Sequence, residues 1–263
     1  MHTGSLTLDI LLGGYRKGIY LLYGEESSGK TLIGLKALSL HPEATVYVDT
    51  TGDGTSLLSM WDADKKVVYI ESTSVHSLQK AVPHLPPQSM MVIDTISRLP
   101  TGEDHKPITD DSYCYFKRAE EVGAFIENVR HAVSMRDIIL IVTSDMRTSG
   151  NRIVPSFPHL FANDTRIYCK RRQQDIDIEI AHPSFVSSKK GIVRVYRDPP
   201  YIDIDCVREM VDWCLAFGVL TKNGSHYYHK DSHIGAGIDS AILWAESMYE
   251  QLIPLFTGAS NER

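Results

Sequence analysis

One short segment, residues 24–31, restricts the possible folds of this chain more than any other part of it. The segment reads GEESSGKT and has the form G-x-x-x-x-G-K-[ST]. The apolar residues 19–23 before it predict a buried strand, and residues 31–38 after it have the pattern of a helix. A strand, a glycine-rich turn and a helix N-terminus direct several backbone N–H groups at one anion. The segment therefore predicts a phosphate-binding P-loop in an α/β fold.

The residues of this P-loop have separate expected roles. Glycines let the backbone approach phosphate groups closely, Lys30 reaches the β- and γ-phosphates, and the Thr31 hydroxyl binds Mg²⁺. A chance match in an ordinary strand-to-helix loop is the alternative, and both flanking elements argue against it. The predicted nucleotide-binding residues are Gly24, Glu25, Glu26, Ser27, Ser28, Gly29, Lys30, Thr31 and Leu32.

A second signal of nucleotide binding lies at the end of a later predicted strand. Residues 90–93 are apolar, and Asp94 follows them directly. A carboxylate at the C-terminal end of a strand beside a P-loop holds Mg²⁺, directly or through water, opposite the P-loop hydroxyl. The alternative is an Asp that only caps the next element. We favour Mg²⁺ binding by Asp94 and Thr31 because the P-loop precedes it in the same chain.

The composition excludes several classes of protein. The chain has 263 residues, of which 43% are hydrophobic and 23% are charged, enough for one large domain and a small one. The sequence has no apolar run of about 18 residues, so no membrane span is predicted, and no secretory signal is visible. The cysteines form no C-x-x-C pair, so reduced intracellular thiols are expected. Because the formal net charge is −6, any DNA site must be local.

Strand and helix signals alternate through the first two-thirds of the chain. Continuous apolar runs separated by helices indicate a mainly parallel sheet covered on both faces. Residues 146–163 contain Gly150, Pro155 and Pro158 without a clear period, which predicts a long loop. The predicted strands are 46–49, 67–70, 90–94, 138–143, 165–170, 176–181 and 193–196, and a long helix is predicted at about 112–135.

The character of the sequence changes after residue 198. A helix at about 205–217, a turn near Gly224 and a last helix at about 238–255 indicate a small α+β module. We therefore expect an ATPase-type core over residues 1–198 and a small C-terminal domain over residues 199–263.

Taken together, these residues resemble the RecA-like recombinase family of bacteria and phages. The opening TGSLTLD at residues 3–9 resembles the T-G-S-L-x-L-D start of the family core, and the P-loop is nearly the family's own. Residues 92–95 resemble its Walker B strand. A further match lies outside the nucleotide core, so a generic P-loop ATPase would not produce it. This match, to the start of the family's C-terminal domain, covers residues 217–220, 224–228 and 234–237.

The resemblance implies a DNA-dependent ATPase that uses ATP and Mg²⁺, assembles on single-stranded DNA and promotes strand pairing in recombination and repair. ATP would lie between subunits of a filament or ring in the cytoplasm of a bacterium or phage-infected cell. Its partners would include other recombination or replication proteins, and binding to a membrane is not expected. Two loops would face DNA, with Lys106 in the first and with Arg147 and Arg152 in the second. The alternative for Arg147 and Arg152 is a pair of solvated loop arginines.

The sequence departs from the family pattern at two positions that matter for catalysis. Thr51 stands where the family has the Glu that activates water, so Asp49 or Asp53 would have to replace it as the base, and hydrolysis is expected to be weak. Asp145 corresponds to the family's phosphate-sensing Gln and lacks the amide donor.

Two further features concern contacts between subunits. Lys189 and Lys190 lie near the region from which the family inserts paired lysines into the neighbouring ATP site, and solvated lysines are the alternative. The core signature begins at Thr3, so the usual N-terminal contact between subunits is expected to be impaired or replaced.

Three functions follow as hypotheses. The leading one is a minimal recombinase of the phage type. The second is an accessory or regulatory ATP-binding protein of the same fold, with weak hydrolysis, that assists a recombinase or helicase; Thr51 and Asp145 favour it. A hexameric helicase motor is the third, and the match in the C-terminal module disfavours it.

Overall fold

The computed structural model describes residues 2–52, 54–61, 67–71, 73–101, 111–149, 152–198 and 201–257. The described helices are α1 (Leu6–Leu12), α2 (Lys30–Leu40), α3 (Gly54–Trp61), α4 (Val75–Ala81), α5 (Asp111–Met135), α6 (Cys206–Ala216) and α7 (Ile238–Thr257). The described strands are β1 (Gly18–Gly24), β2 (Thr45–Asp49), β3 (Val67–Glu71), β4 (Met90–Asp94), β5 (Ile139–Ser149), β6 (Arg152–Pro155), β7 (Thr165–Arg172), β8 (Asp175–Ala181), β9 (Lys189–Val193), β10 (Val195–Asp198), β11 (Tyr201–Ile204), β12 (Leu220–Asn223), β13 (His226–His229) and β14 (Ser232–Ala236).

The central sheet has the strand order β3-β2-β4-β5-β1-β7-β8-β9. From β3 to β7 all neighbouring strands are parallel, and β8 and β9 add to the edge in antiparallel pairing. The predicted α/β fold with a mainly parallel sheet is therefore confirmed. The strand order brings the carboxyl ends of β1, β4 and β5 to one edge, which is where α/β sheets bind ligands.

Helices cover both faces of this sheet. In β1, Leu22 packs with the apolar side chains of α1 and α2 on one face, and its neighbour Leu21 packs with those of α4 and α5 on the other. All residues of β2 and β4 are buried, as expected for parallel strands enclosed on both sides. The continuous apolar runs of the sequence follow directly from this three-layer arrangement.

The prediction of a long loop over residues 146–163 is wrong for its first half. Strand β5 continues to Ser149, and β6 returns beside it in antiparallel pairing, with Met146 opposite Pro155. The neighbouring Ser156 N–H donates to the Asp145 carbonyl at 3.1 Å, so Met146 and Pro155 form a non-hydrogen-bonded pair. Pro155 therefore removes no ladder hydrogen bond and does not break the hairpin. Residues 158–161 then form a short 3-10 helix whose Phe161 is fully buried.

The predicted strand at 193–196 is also corrected, because it is the junction of two strands in different sheets. Strand β9 ends at Val193, and β10 begins at Val195 and pairs with β11. Between them, the Arg194 guanidinium binds Asp175 at 2.7 Å and Asp212 at 2.5 Å. The chain leaves the central sheet at this point, and the two ion pairs hold the Arg194 side chain there.

The C-terminal elements pack on one another and on the N-terminal helix. An apolar cluster of α6, α7 and the sheet β12-β13-β14 includes Leu6 from α1. At its edge the fully buried Glu209 of α6 accepts hydrogen bonds from the Ser5 hydroxyl at 2.9 Å and the Thr7 N–H at 3.1 Å. The division of the chain at residue 198 stays a prediction; that position lies in the β10–β11 hairpin. Within the described residues, none of the helices has the length and apolar character needed to cross a bilayer.

Candidate functional site

A cavity of about 340 Å³ opens at the carboxyl ends of β1, β4 and β5. Residues 26–32 of the P-loop and the first turn of α2 form one wall, and Asp94, Asp145 and Thr51 contribute to the others. The predicted strand and helix on either side of the P-loop are confirmed, so the backbone of this loop has the geometry that the motif indicated.

Close contacts with neighbouring strands explain the two glycines of the motif. A Cβ at Gly24 would lie 2.1 Å from the Cys169 carbonyl oxygen, and one at Gly29 would lie 2.2 Å from the Ile176 Cδ1. Gly29 also has a φ of 93°, in the left-handed region that glycine adopts without strain. Gly29 is the N-cap residue of α2 and has no side chain that could accept a hydrogen bond. The first-turn N–H groups of α2 therefore face the cavity without an acceptor from the cap residue.

Two polar groups of the P-loop fit a phosphate ligand. The Lys30 side chain is 7% exposed, and its Nζ donates to the carbonyl oxygens of Gly24 at 3.1 Å and Glu25 at 2.8 Å. The Ser28 hydroxyl is buried and has no hydrogen-bond partner among the described residues. An unsatisfied buried donor is costly, and an oxyanion in the cavity would accept its hydrogen.

The predicted magnesium ligands lie together. The Thr31 hydroxyl donates to the Asp94 carboxylate at 2.6 Å, and both side chains reach the cavity. Asp94 is held from behind by Tyr47 at 3.0 Å and Thr143 at 2.5 Å. Burial, together with the charge of Asp94, raises the pKa of Tyr47, so this phenol stays a neutral donor. One carboxylate and one hydroxyl, completed by phosphate oxygens, are the ligand set that Mg²⁺ prefers, so these residues fit the ion.

Asp49, a predicted substitute for the missing catalytic Glu, is buried at the end of β2 and does not line the cavity. Its carboxylate accepts hydrogen bonds from the N–H groups of Thr51, Gly52 and Gly54 and from the Tyr69 hydroxyl. Burial opposes ionisation, but the hydrogen bonds from Thr51, Gly54 and Gly52 hold the pKa of Asp49 below its usual range. The described contacts make Asp49 the anchor of the loop that carries Thr51. Its role as a base stays a prediction, and Asp53 lies outside the described residues.

Asp145 lies inside the cavity, at the point where β5 passes the P-loop. One carboxylate oxygen is 3.6 Å from the Lys30 Nζ, and the other is 3.8 Å from the Arg98 Nε. The negative charge that Asp145 brings to the P-loop therefore has two cationic neighbours.

Lys189 and Lys190 lie on β9, at the far edge of the sheet, and do not line this cavity. The Lys189 Nζ donates to the Leu11 carbonyl at 2.8 Å and lies 4.4 Å from the centre of the Phe185 ring. The Lys190 Nζ is 3.4 Å from a Glu179 carboxylate oxygen. Their predicted action on a neighbouring subunit stays a prediction.

The predicted DNA contacts are described only in part. Arg147 and Arg152 lie on the two strands of the β5–β6 hairpin, with Arg147 opposite Val154 and Arg152 opposite Ser149. The hairpin continues β5 directly beyond Asp145, so it leaves the sheet next to the P-loop cavity. Lys106 lies outside the described residues.

Sequence reasoning missed three arginines that line the cavity: Arg98, Arg171 and Arg197. Burial lowers the pKa of Arg197, and the positive charge of Arg171, which lines the same cavity, lowers it further. Within the described part of the chain, neither of these two is within 4.0 Å of a carboxylate. Arg171 belongs to a basic run at residues 170–172, which is visible in the sequence, but such short runs are usually solvated surface residues. Arg197 has no comparable pattern in the sequence around it.

Comparisons with known proteins agree with this geometry. No family model matches the chain. Proteins named RecA from Listeria welshimeri, Listeria ivanovii and Listeria monocytogenes are each 26% identical to it over 280 residues. Each alignment covers 92% of this chain and 76% of the relative. Together with the mainly parallel sheet and the cavity at the P-loop, these alignments support a RecA-like family assignment for the chain.

Proposed function

We propose that this chain is a RecA-like recombinase that binds ATP in the P-loop cavity and single-stranded DNA at the adjoining loops. The main support for this proposal is that Lys30, Thr31 and Asp94 line one cavity at the ends of β1 and β4. The RecA proteins that align with nearly the whole chain support the same function. Recombination and repair of DNA are the processes we propose for it.

The residues of the cavity have defined tasks in this proposal. The N–H groups at the start of α2 and the Lys30 ammonium bind the phosphates, and the Ser28 hydroxyl donates a further hydrogen bond. Thr31 and Asp94 would hold Mg²⁺, which supplies positive charge to the phosphate oxygens when it is bound. Arg98, Arg171 and Arg197 add positive charge around the same ligand. These groups position the triphosphate and stabilise charge, which is most of what phosphoryl transfer requires.

Weak hydrolysis is part of the proposal. Thr51 lines the cavity where a carboxylate base is expected, and its hydroxyl donates to Asp49 at 2.9 Å. A Thr hydroxyl cannot accept a proton from water as a carboxylate does. We therefore propose slow turnover. Asp53 is the better candidate for the base, because Asp49 does not line the cavity and its carboxylate accepts hydrogen bonds from the N–H groups of its own loop. We propose in addition that Lys189 and Lys190 act on the nucleotide of a neighbouring subunit in a filament or ring.

The DNA site is proposed at the β5–β6 hairpin and at the segment that carries Lys106. Because the chain as a whole is acidic, a local basic site is needed to bind the phosphate backbone. Arg147 and Arg152 supply two cations on one hairpin, immediately after the strand that passes the nucleotide cavity. Binding through phosphates leaves the bases free for pairing with a second strand.

The experiment that tests the function measures ATP hydrolysis by the full chain with and without single-stranded DNA. We expect DNA to raise the rate and Lys30→Ala to abolish it. Lys17→Ala is the matched control, because Lys17 is an exposed lysine paired only with Asp137 in the described structure. Its variant should keep the full rate. A rate that does not respond to DNA in the wild-type chain would contradict the recombinase proposal.

The second candidate function is an accessory ATP-binding protein that assists a recombinase or helicase. Thr51 in place of a catalytic carboxylate and Asp145 beside Lys30 favour it. The two proposals differ in a simple observable. In an accessory protein, ATP binds, but DNA does not stimulate hydrolysis and electron micrographs show no filament on single-stranded DNA. In a recombinase, DNA stimulates hydrolysis and filaments form.

A further inference from the structure

The carboxylate of Asp145 lies between two cations inside the nucleotide cavity. Its Oδ1 is 3.6 Å from the Lys30 Nζ and its Oδ2 is 3.8 Å from the Arg98 Nε. Lys30 is the group that binds the β- and γ-phosphates in a P-loop. An internal anion therefore lies beside the cation that a terminal phosphate requires.

The main chain keeps Asp145 in this position. In the pairing of β1 with β5, Asp145 is the register partner of Gly24, the first residue of the P-loop. Its N–H donates to the Ser97 hydroxyl at 3.0 Å, and its carbonyl accepts from the Ser156 N–H at 3.1 Å. A short side chain on a backbone held at both groups cannot move far from Lys30. The carboxylate that faces Lys30 and the carbonyl that holds the base of the β5–β6 hairpin belong to the same residue.

From these contacts we propose that Asp145 is a specificity-determining residue that opposes the terminal phosphate of a nucleoside triphosphate. Any phosphate that Lys30 binds comes within roughly 6 Å of this carboxylate. A triphosphate carries about one more negative charge than a diphosphate, so the repulsion is greater for the triphosphate. The cavity consequently binds a triphosphate less tightly, relative to a diphosphate, than it would with a neutral residue at position 145. This inference rests on the proposed nucleotide site.

The size of the effect follows from Coulomb's law. At a separation of about 6 Å, and after allowance for screening because Asp145 is 36% exposed, one additional charge corresponds to about tenfold in affinity. Arg98 contacts the other carboxylate oxygen of Asp145 and reduces the repulsion without removing it. Replacement of Asp145 by a neutral residue leaves Lys30 and Arg98 both available to the phosphates.

The test compares the affinities of the full chain for ATP and ADP, each with Mg²⁺, by isothermal titration calorimetry. Asp145→Asn removes the charge and keeps the size of the side chain. We expect it to raise the ratio of ATP affinity to ADP affinity about tenfold. Asp145→Glu retains the charge and should keep the ratio near that of the wild type. Asp137→Asn is the matched control, because it removes an exposed Asp–Lys pair outside the cavity and should leave the ratio unchanged.

Each other result has a definite meaning. An unchanged ratio in Asp145→Asn, with both nucleotides still bound, overturns the inference and leaves the proposed function intact. A fall in ATP affinity also overturns it, because the carboxylate would then assist binding. If Asp145→Asn does not fold, Asp145→Ala gives the same comparison, since its side chain makes only the two ion pairs in the described structure. If no form of the chain binds either nucleotide, the proposed function fails first.

Discussion

The Thr31 hydroxyl donates a hydrogen bond of 2.6 Å to the Asp94 carboxylate and so joins the start of α2 to the end of β4. Tyr47 and Thr143 donate to the same carboxylate from neighbouring strands. Asp94 is therefore fixed before any ligand arrives, and a cation site needs little rearrangement. Preorganisation of this kind reduces the entropy lost on binding.

Thr31→Val is expected to weaken the effect of Mg²⁺ on nucleotide binding. The variant keeps the shape of the side chain but lacks the hydroxyl oxygen, so about one ligand contact is lost, which corresponds to about tenfold in affinity. Thr31→Ser retains the oxygen and serves as the control. The effect is measured by titrating Mg²⁺ into a mixture of the chain and a fluorescent nucleotide, with the fluorescence reporting nucleotide binding. Equal Mg²⁺ dependence in Thr31→Val and Thr31→Ser would contradict the assignment.

Gly29→Ala is expected to destabilise the chain and to reduce nucleotide binding. Alanine at a φ of 93° is strained by about 1–2 kcal/mol, and its Cβ would also overlap the buried Ile176 side chain. Gly13→Ala is the control, because Gly13 has a φ of 75° but its nearest neighbouring atom is 3.6 Å away. We expect Gly29→Ala to lose about 1–3 kcal/mol more than Gly13→Ala in urea unfolding.

A double variant separates strain from overlap at Gly29. Ile176→Val removes the Cδ1 atom that lies 2.2 Å from the position an alanine Cβ would take at residue 29. It should therefore recover part of the stability lost in Gly29→Ala. If it recovers none, the overlap with Ile176 is not the cause of the loss.

Much of the candidate site was predictable because its signals are local in the sequence. The P-loop lies in eight consecutive residues, and Asp94 follows directly on an apolar strand. Strand β1 and helix α2 then place these groups without help from distant segments. The parallel sheet was predictable for the same reason, since burial on both faces leaves continuous apolar runs.

Other features depend on contacts that no local pattern reveals. Ser5 binds Glu209 across 204 positions of the chain, and Arg197 reaches the cavity only because β10 turns out of the central sheet at Arg194. The sequence predicts a loop at the β5–β6 hairpin because glycine and proline are typical of loops, whereas antiparallel pairing decides its structure. The engagement of Asp49 by its own loop could likewise not be read from the sequence.

The buried Glu209 is expected to make the stability of the chain depend on pH. Burial raises its pKa to about 8, although hydrogen bonds from Thr7, Ser5 and Arg194 favour the charged form. Because the folded state holds the Glu209 proton more tightly than the unfolded state, protonation of Glu209 favours folding. This contribution to the free energy of unfolding is complete below the unfolded pKa, near 4.5. This contribution is lost as the pH rises towards and through 8. The wild-type chain should lose stability over this interval by an amount on the order of a few kcal/mol.

Glu209→Gln tests this pH dependence. Its amide cannot ionise, so its free energy of unfolding should depend less on pH between 4.5 and 8, even if it is lower throughout because the amide N–H₂ faces other donors. Urea unfolding at several pH values gives both curves. Identical pH dependence in the two proteins would show that Glu209 does not titrate in this range.

The arginines of the β5–β6 hairpin are expected to govern the salt dependence of DNA binding. Each phosphate contact to a single strand contributes about 0.7 to the slope of log affinity against log salt concentration. Replacement of Arg147 and Arg152 by Ala should therefore weaken binding and lower the magnitude of the slope by about 1.4. Fluorescence anisotropy with labelled single-stranded DNA measures both, and Lys17→Ala is the control. If the double variant has the same slope as the wild type, the hairpin does not belong to the DNA site.

Whether the P-loop cavity binds a nucleotide is tested most directly by calorimetry of ATP binding, in the presence of Mg²⁺, to the purified wild-type chain and to Lys30→Ala. We predict one site per chain in the wild type and at least about a tenfold loss of affinity in Lys30→Ala, with cooperative thermal unfolding of the ligand-free protein retained. Absence of binding to the wild type, or equal binding to both proteins, would contradict this prediction.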